Sequence, residues 1–397
     1  MRNNYRGFLK LSGIVGLLLV VIPVIAGLNF SDSNLILENL AEKEIKFISP
    51  VDGDMLNPYD GTVTDGTLVT KVKIAAPSGS NIIVNGIKAA YIDGKFEADI
   101  SLKDYENIIE LVEEKQGYKE SITIFWLKNF ANKYRLSLDD NIWFLKDISD
   151  NADRYKSIFE NPYLGFLKQV HDTYGTKIHI NIYYETDGFN ISQMTDKFIS
   201  EWKTNAAWLR LSFHAYASKP DKPYLNASYE KVKSDCDMVM NQIHRFAGEE
   251  ITGPVTTLHW GEATVEGCRA LRDAGFKCLP CDFNVDNNLA PCSFYLDVEK
   301  RRHINKRLIW RDNKEGIIFL KCAIIIDTHK LENIVPFLDG LKKDPHMSSY
   351  IDLLIHEQYF YSFYPAYQPD YRQKVLTAVK WAVNNGYEPA FIEECVF

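Results

Sequence analysis

From Phe130 to its C-terminus the chain repeats one rhythm, a short apolar strand followed by an amphipathic helix, and that rhythm restricts the fold more than any other feature. Tyr163, Phe166, Leu167 and Val170 recur at helical spacing, Gly175 stands where that helix must stop, and the following "KIHINIYY" alternates Ile178, Ile180 and Ile182 as a strand does. The same pattern predicts strands near 208–214, 255–259, 276–281, 317–326, 350–356 and 388–392. Helices between them are marked by Val265, Cys268 and Leu271 before Gly275, by Ile334, Phe337, Leu338 and Leu341, and by Val375, Val379 and Ala382 before Gly386. Alternating β and α over residues 131–397 means parallel strands joined by crossovers, in a parallel (β/α) barrel or a doubly wound sheet. No G-x-G-x-x-G follows any strand, which argues against a dinucleotide fold.

The first third of the chain reads differently. Arg2, Arg6 and Lys10 precede an uncharged, Leu/Val/Ile-rich stretch from Leu11 to Phe30, so residues 1–30 read as a signal peptide or a membrane anchor. The basic flank belongs on the cytoplasmic side, which places the remainder outside, in the cell envelope or, if the leader is cleaved, secreted. Residues 31–44 are a polar spacer. Over 45–130 short alternating runs, such as Leu68, Thr70, Val72, Ile74 and Phe96, Ala98, Ile100, Leu102, are separated by Asp-Gly and Asn-Gly turns, the signature of a small immunoglobulin-like β-sandwich. With a net charge of -8 and no basic stripe, a nucleic-acid partner is not expected. The lone C-x-x-C of Cys278 and Cys281 lacks a second pair for a zinc site and reads as strand-end packing or one local disulfide.

In parallel α/β folds the site lies at the carboxyl ends of the strands. Asp139 and Asp140 end the first strand, "RLSLDDN"; His214 ends "WLRLSFH", His259 ends "GPVTTLHW" and His356 ends "YIDLLIHEQ", with Asp187, Asp282 and Asp327 following the strands between. Any one of these residues could be a satisfied strand-end residue, and the Asp pair a simple turn. Converging on one rim, they are the material of a metal-dependent hydrolase.

"SLDDN", "FHAYAS", "LHWGEATVEGCRALRDAGFKC", "LLIHE" and "AVKWAVNNGYEPAFIEE" occur in the order of the motifs of the NodB-like polysaccharide deacetylases, which this part of the chain, residues 134–397, resembles. The resemblance implies a distorted barrel of NodB type, removal of N-acetyl groups from a cell-surface or extracellular polysaccharide, and a divalent metal, zinc first. It makes Asp139 the base, His356 the general acid, and Asp140 and His214 metal ligands. The chain departs from the pattern in two places. Ser218 stands where the family has its second metal histidine, and "LHWG" replaces the Arg motif that orients the base. His259 is therefore open to three readings: third metal ligand, partner of Asp139, or packing against Trp260. Substrate contacts are assigned to Trp260, Glu262, Tyr359 and Tyr361, although rings as dense as those of "HEQYFYSFYPAYQPDY" also suit a barrel-to-loop core. Two other readings are another metal-dependent carbohydrate hydrolase or esterase, and a silent glycan-binding envelope protein.

Overall fold

The computed structural model describes residues 44–285 and 292–397. The expected leader, and all but the last residue of the spacer, lie outside the described residues. No helix among the described residues is long and apolar enough to cross a membrane.

Residues 46–126 form two five-stranded sheets. Strand Thr67–Ala75 pairs antiparallel with Lys95–Leu102, setting Leu68 against Leu102 and Ile74 against Phe96. The alternation read in the sequence is observed, since Leu68, Val72, Ile74, Phe96, Ala98, Ile100 and Leu102 are all buried. They share one core with Ile82, Val84, Ile109, Leu111, Ile122 and Ile124 of the other sheet. The layer joins the C-terminal part through a second apolar cluster that includes Met55, Phe125, Phe130, Ile309 and Tyr350. Polar contacts reinforce the junction: His346 Nε2 lies 2.8 Å from Asp60 Oδ1, and the Trp310 indole donates to the Asp52 carbonyl at 2.8 Å.

The C-terminal part is built on a parallel sheet in the order Leu209–Ala215, Ile178–Tyr183, Lys133–Asn141, Tyr350–His356, Ile324–Ile325, with Glu388–Pro389 paired to the start of Lys133–Asn141. Helix Pro162–Tyr174 starts on Asn161, whose side chain accepts from Tyr163 and Leu164 N–H, and ends at Gly175 in the left-handed conformation (φ 69°). Helices Val265–Asp273, Leu331–Leu341 and Tyr371–Asn384 fall where the periodicity puts them. Three expectations differ. The run at 255–259 forms no strand, only an isolated bridge from Val255 to Cys278. Cys278–Cys281 belongs to a separate three-stranded sheet that contains an antiparallel pair, Ile309–Asp312 with Ile317–Lys321. Among the described residues the hydrogen-bond ladder therefore does not run unbroken round a ring. Extended chain bridges the gap between the sheets, with Leu211 N–H bonded to the Ile251 carbonyl and Thr256 N–H to that of Cys278. Cys278 and Cys281 are free, buried thiols, so of the two sequence readings it is strand packing that is observed.

Candidate functional site

Adjacent residues on a strand point to opposite faces, so two neighbouring aspartates should not share a site. The strand Lys133–Asn141 breaks that rule locally. Its pairing with Ile178–Tyr183 slips between Leu138 and Asn141, and Asp140 takes a left-handed conformation, φ 62°. This bulge turns both carboxylates toward the same end of the sheet, at the order of 1 kcal/mol or more that a non-glycine residue costs there. The next helix, Trp143–Asp150, is held to the bulge by Glu357. Its carboxylate accepts the backbone N–H of Ile142 (2.6 Å), Trp143 (3.0 Å) and Phe144 (2.7 Å), three donors that a helix start leaves unpaired.

Asp140, His214 and His259 each offer one ligand atom, and those atoms lie within 4.8 Å of one another. His214 Nε2 is 3.0 Å from Asp140 Oδ1, His259 Nδ1 is 3.1 Å from the same oxygen, and the two ring nitrogens are 3.2 Å apart. Ligands at about 2.0–2.1 Å from a tetrahedral zinc stand about 3.3 Å from each other, so the three atoms already form one face of such a site. His214 Nδ1 faces the Thr257 carbonyl at 2.6 Å, which fixes its hydrogen there and turns the Nε2 lone pair to the centre. Burial alone would raise the Asp140 carboxyl, but hydrogen bonds from His214 and His259 hold it well below the usual range, so it is an anion. Burial works against protonating His214, yet the facing Asp139 and Asp140 raise it. A proton and a cation therefore compete for Nε2. The donor set, one carboxylate and two imidazoles, fits a divalent ion of the zinc type. Gln358 Nε2 donates to Asp140 Oδ2 at 2.8 Å, and the Tyr183 hydroxyl bonds Oδ1.

The other two polar residues stand beside this triangle. Asp139 and His356 are opposite partners on adjacent parallel strands. Burial pushes the Asp139 carboxyl up, against the pull of His214 and His356. His356 Nδ1 lies 2.9 Å from Asp327 Oδ1; although burial disfavours its charge, Asp327 raises it to about 10, so it carries a proton at neutral pH.

Two cavities meet here. One of about 500 Å³ is lined by Asp139, His214, Asp282, Asp327, His356 and Tyr359. The other, about 350 Å³, is lined by Trp143, Tyr183, Glu185, Ser218 and Tyr364. Asp140, His259, Trp260 and Gln358 border both. Trp260, at φ 64° and 41% exposed, stands open between them. Tyr361 lines a third hollow beside Trp143, together with Asp187, and its hydroxyl donates to Glu357 at 2.9 Å. Glu262 is buried, borders neither cavity at the triangle, and accepts from Ser293 at 3.2 Å. Sequence reasoning missed Asn181, Tyr183, Gln358 and Glu357. A signal for the first two existed, because the face of "KIHINIYY" opposite its isoleucines carries His179, Asn181 and Tyr183 on a strand buried throughout.

No sequence-family model matches the chain, and no curated protein does. Among solved structures it resembles a CE4 esterase from Streptococcus mutans, at 13% identity and TM-score 0.37, over 66% of this chain and 86% of that one. It also resembles a 4-alpha-glucanotransferase from Thermococcus litoralis, at 12% identity and TM-score 0.41, over 67% and 40%. A third is the carbohydrate deacetylase Agd3, at 8% identity and TM-score 0.35, over 90% and 73%. A putative polysaccharide deacetylase from Mycobacterium smegmatis, at 9% identity and TM-score 0.38 over 66% and 94%, also stands among its structural neighbours; likenesses this remote lend the chain no chemistry of their own.

Proposed function

We propose that the protein is a metal-dependent hydrolase that removes N-acetyl groups from a cell-surface or extracellular polysaccharide. The observation that carries this reading is the meeting of Asp139, Asp140, His214, His259 and His356 at one end of the sheet, with three metal-donor atoms at tetrahedral spacing. Asp140, His214 and His259 would hold the ion, zinc first. Bound there, it would supply Lewis-acid chemistry, with the pKa of water lowered toward about 7. Asp139, buried and raised, takes the proton from the attacking water. His356, kept protonated by Asp327, delivers a proton to the leaving amine. Trp260 and Tyr359 offer ring faces to the sugar along the two cavities, with Tyr361 further out.

Residues 1–30 export and tether the chain on this reading, and protease accessibility on intact cells tests the side. The function is tested by acetate release from a panel of N- and O-acetylated oligosaccharides, with zinc or cobalt added. Release from N-acetylated members supports the reading. Release from O-acetylated members alone makes it an esterase, and no release with no metal bound makes it a silent glycan-binding protein.

A further inference from the structure

Beneath Asp139, inside the parallel sheet, runs a row of polar side chains that the roles above leave unused. Arg135, His179, Asn181, Ser212 and Asp352 are wholly buried. Arg135 Nε donates to Asp352 Oδ1 at 2.7 Å, and its Nη1 lies 2.8 Å from His179 Nδ1. A guanidinium has donors only, so His179 Nδ1 accepts and the neutral ring carries its hydrogen on Nε2. Burial and the neighbouring Arg135 cation both hold His179 well below its usual range, which keeps it neutral. Its Nε2 faces Ser212 Oγ at 2.8 Å, and Ser212 passes its own hydrogen to Asn181 Oδ1 at 2.6 Å. Thr257 N–H donates to the same Asn181 oxygen at 3.2 Å, fixing the amide's orientation independently. Asn181 Nδ2 is thereby turned to Asp139 Oδ1, at 2.7 Å.

We propose that Arg135, His179, Ser212 and Asn181 form a directional hydrogen-bond relay that positions Asp139, engaging one carboxylate oxygen and leaving the other for the reacting water. These are positioning residues, and their assignment rests on the reading of Asp139 as base. The polarity of each link follows from the chemistry of Arg135, so the relay is broken by reversing or deleting a link and restored by any side chain of the same polarity.

The test has two arms on the full-length protein in mild detergent. In the first, 15N-histidine NMR should show His179 as the neutral Nε2–H tautomer, unchanged between pH 5 and 8. A Nδ1–H tautomer, or titration in that range, overturns the relay whether or not the protein is an enzyme. In the second, acetate release from N-acetylated chito-oligosaccharides is compared for His179→Leu, Asn181→Leu and His179→Gln. Both leucine variants should lose about 10–100-fold in kcat with KM and bound zinc unchanged. His179→Gln keeps an acceptor toward Arg135 and a donor toward Ser212, and should recover most of that loss. A glutamine variant as impaired as the leucine one, or a loss confined to KM or zinc content, makes the row a structural core element and overturns the proposal. If the wild type releases no acetate from any substrate, the deacetylase reading fails, and the tautomer alone decides the relay.

Discussion

Replacing Glu357 by alanine removes one acceptor from three backbone N–H groups at once, those of Ile142, Trp143 and Phe144. Burial raises the Glu357 carboxyl to about 7 against the pull of these three donors, so the comparison belongs at about pH 8 or above, where the group is mainly ionised. A hydrogen bond to a charged group contributes about 1.5–3 kcal/mol, and the three together set an upper bound of about 4.5–9 kcal/mol. Ile142 and Trp143 border the 350 Å³ cavity, and water admitted there can pair with part of what is lost. The expected destabilisation is therefore about 3–5 kcal/mol, more than the roughly 0.5–2 kcal/mol of an ordinary lost cap. Glu357→Gln discriminates further. Ile142 and Trp143 share Oε2, so a glutamine oxygen in that place keeps two bonds and presents its NH₂ to Phe144, a loss of about 1.5–3 kcal/mol. Because the cap anchors the turn carrying Asp140, zinc affinity should fall with stability. Urea unfolding measures the first and calorimetric titration the second. If both variants stay within about 1 kcal/mol of wild type with unchanged zinc affinity, the cap does not hold the bulge in place.

Asp139→Asn and His356→Ala should each lower acetate release by about 10²–10⁴-fold with zinc retained, whereas Asp140→Asn should lose both, because only Asp140 is a ligand; equal zinc loss in all three rejects the roles. His356 moves from about 6.5 unfolded to about 10 folded, so its pairing with Asp327 stabilises fully below pH 6.5 and is lost as pH rises through 10. Asp327→Asn should accordingly cost on the order of a few kcal/mol near pH 6 and little near pH 11, read as the thermal midpoint of metal-free protein against pH; a loss that is constant with pH sinks the assignment.

Strands such as Tyr350–His356 and helices such as Pro162–Tyr174 were legible because one periodicity ran their whole length and clear stops bounded them. The run at 255–259 had the same apolar look. Its backbone donors are spent elsewhere, Thr256 on the Cys278 carbonyl and Thr257 on the Asn181 side chain, so no ladder forms. The residues of the site on strand ends could be named from the sequence, but their company could not. That Asp139 and Asp140 face one way depends on a slipped register that no residue type announces, and the capping by Glu357 depends on which strand lies next to it. Gln358 and Tyr183 reach Asp140 only across those contacts.

Whether Asp140, His214 and His259 together hold one catalytic ion is decided by stripping the protein with a chelator and restoring zinc in steps, measuring bound metal and acetate release at each step, for wild type and His259→Ala. Wild type should bind one equivalent, with release rising in proportion to occupancy, and His259→Ala should fail to retain that equivalent. Tight, unchanged zinc in His259→Ala would remove that residue from the ligand set, and acetate release that survives chelation would contradict the metal-dependent account itself.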